Sequence, residues 1–123
     1  MRIGETAERT GISEYTLRYY EKKGLIRVDR DAAGRRDYHE ADLDWFLFIQ
    51  RLKDTGMLLR DIKRYSELRY EGKCTMKDRM QMLKAHRKYV VRQQEKWENH
   101  RKNLDDKIIF YEKEIADDPE DEM

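Results

Sequence analysis

Twelve residues of this 123-residue chain fall on one seam: Met76, Met80, Leu83, Arg87, Val90, Gln94, Trp97, Arg101, Leu104, Ile108, Tyr111 and Ile115. The steps between them alternate four and three, the spacing that keeps side chains on one stripe of an α-helix supercoiled against another. No glycine or proline interrupts residues 75–115, so the stretch reads as one helix. About 40 residues at 1.5 Å each give a rod of roughly 60 Å. The 70 or so residues before it cannot cover such a stripe, and a fold-back hairpin would need a breaker that the sequence lacks. A second copy of the chain is the economical partner. Met80, Leu83, Val90, Trp97, Leu104, Ile108, Tyr111 and Ile115 are the candidate dimer-interface residues. Arg87, Gln94 and Arg101 interleave with them, and polar seam residues give up stability for a defined register.

Ahead of the seam, glycines punctuate short periodic segments at Gly11, Gly24, Gly34, Gly56 and Gly72. The pattern predicts helices over 3–10, 14–23, 41–55 and 59–71, with a β-hairpin whose strands lie near 26–28 and 36–38. Ile3, Ala7, Ile12, Leu17 and Leu25 are spaced to pack the first two helices across a tight turn at Gly11-Ile12-Ser13. There Gly11 supplies a positive φ, Ile12 plugs the small core and Ser13 caps the second helix. Glu14, Tyr15, Arg18 and Lys22 then point away from Leu17. This is a helix-turn-helix pattern, in which the early residues of the second helix reach base edges.

Charge alone would not announce nucleic acid. The net charge is +1, and residues 1–70 carry 15 basic against 13 acidic side chains. The argument rests on placement. The run Thr16-Leu17-Arg18-Tyr19-Tyr20-Glu21 with Gly24-Leu25-Ile26, then Arg36-x-Tyr38, Asp42-Leu43 and Gly56, resembles the N-terminal domain of the MerR family of bacterial transcription regulators, closely over residues 2–65 and in architecture over 75–115. The resemblance implies a mainly α protein: a winged helix-turn-helix DNA-binding domain (1–72), then a long helix (73–116) forming an antiparallel coiled-coil homodimer. Residues 117–123 are expected to form an acidic, disordered tail. It implies a recognition helix in the major groove, with Tyr15, Thr16 and Arg18 as candidates for groove contacts; Ser13 and Glu14 at the start of that helix, and Arg35 on the wing, complete the set of candidate DNA-binding residues. Tyr19, Arg36 and Tyr38 would face the phosphates, to which a guanidinium fork or a phenolic hydroxyl can donate. It also implies double-stranded DNA and RNA polymerase as partners, a cytoplasmic location, and control of transcription by distorting DNA at a two-fold operator in a promoter spacer. The chain departs from the family pattern at Arg35, where an aromatic is usual, and at His39 and Leu58, where Ser or Thr usually caps a helix.

An architectural winged-helix protein of the excisionase type is the alternative, but those proteins lack a 40-residue dimer helix. No nucleophile constellation, acid–base pair or phosphate-cradling loop points to an enzyme. No leader or membrane span is expected, and no cofactor. The single cysteine, Cys74, cannot form an intrachain disulfide, and with His86 and His100 distant in sequence no metal site is expected. Cys74 remains a candidate redox sensor beside Lys73 at the start of the long helix. Tyr65, Tyr70, Trp97 and Tyr111 are either interface core or the lining of a small-molecule pocket. Thr75 and Asp78 have capping-box spacing.

Overall fold

The computed structural model describes residues 1–118 and divides the chain into two compact units, Met1–Leu83 and one beginning at Lys84. The expected boundary at 72/73 falls at the turn before the long helix, and the division into units falls later, within that helix. Met82 and Leu83 pack against the first unit's core, so the opening turns of the long helix belong to it. Residues 119–123, most of the expected acidic tail, lie outside the described residues.

In the first unit, α1 (Ile3–Thr10) and α2 (Glu14–Lys22) meet at the predicted turn. Gly11 takes φ +73° and donates its N–H to Ala7 O, a left-handed cap that a side chain would strain. Ile12 is buried beneath it. Ser13 Oγ accepts from Thr16 N at 3.1 Å, filling one of the orphan donors of α2. Leu17 and Tyr20, three apart, form the buried stripe of α2.

The hairpin is shorter and later than the sequence suggests. Strands β1 (Asp29–Arg30) and β2 (Arg36–Asp37) pair antiparallel, Asp29 with Asp37 and Arg30 with Arg36. The apolar residues read as strand, Ile26 and Val28, instead follow α2 into the core, with Ile26 fully buried and Val28 packed against the cluster. The intervening loop is organised by Asp31, whose carboxylate accepts from the N–H groups of Ala33 and Arg35, each at 2.9 Å.

Helix α3 (Leu43–Asp54) enters through a 3-10 turn at Glu40–Asp42 and buries Trp45, Phe46, Ile49 and Leu52. Helix α4 (Leu59–Glu71) buries Ile62, Tyr65, Ser66 and Leu68. Trp45 stacks on Tyr65 at 5.6 Å, and the Arg69 guanidinium lies 4.8 Å above the Trp45 ring. Leu17, Ile49 and Ile62 are wholly removed from solvent; each such side chain contributes about 1.5–3 kcal/mol of transfer free energy. Neither His39 nor Leu58 makes a side-chain cap, a loss of about 1 kcal/mol apiece relative to serine.

The long helix α5 spans Met76–Asp117. Thr75 does not open it with a capping box. Its hydroxyl donates back to the carbonyls of Leu68 and Gly72, satisfying the C-terminal end of α4. The second unit is the rest of α5, a single helix with no buried residue. It leaves Trp97 70% exposed and Leu104 64%, with Ile108, Tyr111 and Ile115 more than half exposed.

Candidate nucleic-acid interface

The outward face of α2 presents Glu14, Tyr15, Arg18 and Lys22 to solvent. Tyr15 is 78% exposed, an unusual position for a ring with nothing to cover it. Arg18 enters no hydrogen bond or ion pair among the described residues, so its five donors face outward unspent. Glu14 behaves differently: its Oε1 sits 3.3 Å from where a Cβ on Gly4 would be, so the carboxylate leans over α1. Ser13 and Thr16 bond each other through their hydroxyls at 2.9 Å, which fixes the helix start. Tyr19 is half-buried, its ring flanked by the ammonium groups of Lys23 at 5.7 Å and Lys53 at 5.8 Å.

Beside this face stands an arginine-rich wing. Arg30 Nη2 donates to Glu21 Oε1 at 2.8 Å, and Arg36 Nε reaches Glu21 Oε2 at 3.4 Å. Arg2 Nη2 donates to Asp31 Oδ2 at 2.6 Å, and Arg35 Nε to the same oxygen at 3.2 Å. Four guanidiniums thus share two carboxylates, and with Ile3 and Gly34 these arginines, brought together from the N-terminus and the hairpin, line a shallow groove. The Arg2 hydrogen bond, with the backbone bond from Arg35, holds the Asp31 carboxyl far below the usual carboxylate range. Glu21 thus ties both strands of the wing to α2.

Of the residues expected from sequence, Tyr15, Arg18, Tyr19, Arg35 and Arg36 come together on this surface. Tyr38 does not. Its side chain is 2% exposed, edge-on to Phe46 at 6.1 Å, and its hydroxyl is buried without a hydrogen-bond partner. The residue after β2 turns inward to close the core, so that hydroxyl is not presented to a phosphate. Sequence reasoning missed Arg2, Arg30 and Lys53. They are far apart in the chain and converge only through tertiary pairing; the one local hint was the density of arginine between 27 and 36.

Among the expected interface residues, Leu83 is partly buried against the first unit's core, whereas Met80, Trp97, Leu104, Ile108, Tyr111 and Ile115 are exposed. Cys74 lies in the 3-10 turn Lys73–Thr75 with its side chain exposed, its Sγ 3.9 Å from Glu71 O. Tyr65 is core, and the Tyr70 hydroxyl accepts from the backbone N–H of Arg27, in the loop after α2, at 3.0 Å. Among the described residues no cluster of three metal-ligating side chains occurs, and no helix is long and apolar enough to cross a membrane.

An exposed recognition helix docked to a basic wing defines a winged helix-turn-helix DNA-binding protein. Residues 1–68 match the MerR HTH family regulatory proteins, and residues 43–107 match the family's DNA-binding region, described as "MerR, DNA binding". An HTH-type transcriptional regulator of Haemophilus influenzae is 40% identical over 113 residues, covering 91% of this chain and 84% of its own. The regulator AdhR of Bacillus subtilis is 36% identical over 74% of this chain and 66% of its own. Among solved structures, HiNmlR, a MerR family regulator lacking the sensor domain and bound to promoter DNA, superposes with a TM-score of 0.79 at 39% identity, covering 94% of this chain and 92% of that one. A MerR family regulator from Listeria monocytogenes superposes at 0.85 with 32% identity, covering 91% and 86%. The chain belongs to the MerR family and is a DNA-binding transcriptional regulator.

Proposed function

We propose that the protein acts in the cytoplasm as a homodimer, without catalytic activity, on a two-fold operator within a promoter. In this reading α2 lies in the major groove, with Tyr15 and Arg18 toward base edges, and the Arg2–Arg30–Arg35–Arg36 wing lies along the phosphates. The observation that carries it is the unpaired, outward Arg18 beside that wing: a free guanidinium fork suits guanine, while a shared arginine cluster suits a line of phosphates. The exposed stripe of α5 supports dimerisation, because a monomer would leave it in water. Two recognition helices must then meet half-sites about one helical turn, roughly 34 Å, apart, and DNA that does not offer this spacing must be bent or untwisted to fit. Such distortion, at a spacer between promoter elements, is how the protein would govern RNA polymerase.

The test is selection of bound genomic fragments, then footprinting and transcription with purified polymerase on spacers of altered length. A palindromic footprint and a transcriptional effect that depends on spacer length are expected. Equal affinity for random DNA with no effect on transcription would instead favour the architectural reading.

A further inference from the structure

We propose that Gly4 is a specificity-determining position: by lacking a side chain it seats the Glu14 carboxylate against α1, and so keeps Arg18 free to read a base. The inference rests on the base-reading role given to Arg18 above and adds the residue that makes that role available.

The need for such a residue follows from the sequence of α2. Glu14 stands four residues before Arg18, and Glu21 three residues after it. At 3.6 residues per turn the three lie within roughly 60° of one another around the helix. A glutamate four residues ahead of a basic residue is the favoured order for a helical ion pair. Left to the helix alone, Arg18 would be shared between two carboxylates, its donors drawn away from any base. The fold diverts both. Glu21 accepts from Arg30 at 2.8 Å and from Arg36 at 3.4 Å. Glu14 leans onto α1. Arg18 is left without a hydrogen bond or ion pair among the described residues.

Gly4 is what lets Glu14 lean that way. It is the second residue of α1, inside a helix, where glycine is a poorer choice than alanine. Its φ is not positive, unlike that of Gly11 or Gly24, so the backbone does not demand a glycine there. A Cβ at this position would stand 3.3 Å from Glu14 Oε1 and, its own helical turn aside, would meet nothing else within 4 Å. The space that Gly4 leaves open is therefore the space beside one carboxylate oxygen. The start of α1 attracts that oxygen: Arg2 at the N-cap provides no side-chain cap, and the unpaired N–H groups and positive dipole end of a helix favour an anion. A side chain at residue 4 would press the carboxylate off α1. The basic residue one turn along its own helix is Arg18, which would then take it up as an ion pair.

Full-length Gly4→Ala tests this, in competition binding against operator, single-base operator variants and random duplexes. The variant should melt no lower than the parent, since alanine suits a helix better than glycine. Its ratio of operator to random affinity should fall about twofold, the factor that one helical ion pair supplies. The loss should be confined to the base pair at which Arg18→Ala loses discrimination, and it should fade at high salt. Adding Glu14→Gln should restore the parental ratio, because an uncharged side chain no longer holds the guanidinium. In an Arg18→Ala chain, Gly4→Ala should have no further effect on the ratio. An unchanged ratio in Gly4→Ala, or a loss that Glu14→Gln does not relieve, would overturn the proposal while leaving Arg18 its role. Equal weakening on operator and random DNA would overturn it too, by placing residue 4 against the DNA backbone. If Arg18→Ala itself keeps full discrimination, the base-reading role of Arg18 fails, and this inference with it.

Discussion

Arg30 on the wing donates to Glu21 on the recognition helix at 2.8 Å, and Arg36 shares the same carboxylate. One acidic side chain therefore bonds both strands of the wing to the helix that would meet DNA. Glu21 is only partly exposed, and removing its charge leaves two guanidiniums without their partner. Glu21→Gln should raise affinity for random DNA, because positive charge is released, while lowering the ratio of specific to non-specific affinity as the wing loses its tie to α2. Competition binding against operator and random duplexes checks this; an unchanged ratio would show that the wing does not need Glu21 for its placement.

Arg18 and Arg36 should fail in different ways. Arg18 is unpaired and central on the exposed face of α2, so Arg18→Ala should cost about 1–3 kcal/mol of discrimination at one operator position. Arg36 sits on the wing and is half-exposed. Arg36→Ala should weaken binding to all sequences alike and reduce the slope of log affinity against log salt by about one. Salt titrations on both duplexes separate the two; identical behaviour would collapse the division between base reading and backbone contact.

Tyr38→Phe should leave DNA affinity unchanged and should not lower stability. The hydroxyl it removes is buried and unpartnered, and burial already pushes its pKa up. Deleting a buried polar group that makes no hydrogen bond is neutral or stabilising. Thermal melts and operator titration of the variant are the measurements. A clear loss of affinity would mean that Tyr38 swings outward on DNA.

The pair between His39 and Asp29, Nε2 to Oδ2 at 2.7 Å, links β1 to the entry of α3. The hydrogen bond to Asp29 raises the imidazole pKa, with Asp29, Asp37 and Asp42 adding attraction. Because the folded value is raised, the contribution is complete below the unfolded imidazole value of about 6.5 and is lost as pH rises through the folded value. The side chain is half exposed, so the effect is small and screened by salt. His39→Gln should therefore narrow the difference in Tm between pH 6 and pH 8. An identical pH profile in both proteins would show that the pair contributes nothing.

The long-range order of this fold was visible in the sequence wherever periodicity carried it. The helices at 3–10 and 59–71 stand where the pattern placed them, and the turn at Gly11 to Ser13 forms with the expected left-handed glycine and serine cap. The failures share a cause. Ile26 and Val28 look like a strand because they are β-branched and alternate, yet the core claims them and leaves the polar Asp29–Arg30 to pair. Tyr38 looks like a phosphate donor until the fold turns it under Phe46. Arg2 joins the wing only because Asp31, 29 residues away in sequence, comes to meet it. Thr75 reads as a cap for the helix after it and serves the helix before it. Local spacing encodes elements; which face turns inward, and which charges converge, depends on partners that spacing does not name.

Cys74 occupies the turn between α4 and α5, with its thiol exposed and Sγ 3.9 Å from the Glu71 carbonyl. Nothing buries it, and no second cysteine exists in the chain to trap it as an intramolecular disulfide. It should therefore react with a thiol reagent in the folded protein at the rate of an unhindered cysteine, giving a single adduct by mass. Because its sulfur contributes only a weak, long contact, Cys74→Ser should fold, dimerise and bind operator as the parent does. The informative comparison is the promoter response after diamide or an electrophilic aldehyde. A response present in the parent and absent in Cys74→Ser would assign the turn a sensing role, acting on a junction one residue before the buried Thr75 that ties α4 to α5. Equal responses would exclude Cys74, leaving a surface thiol with no part in the signal.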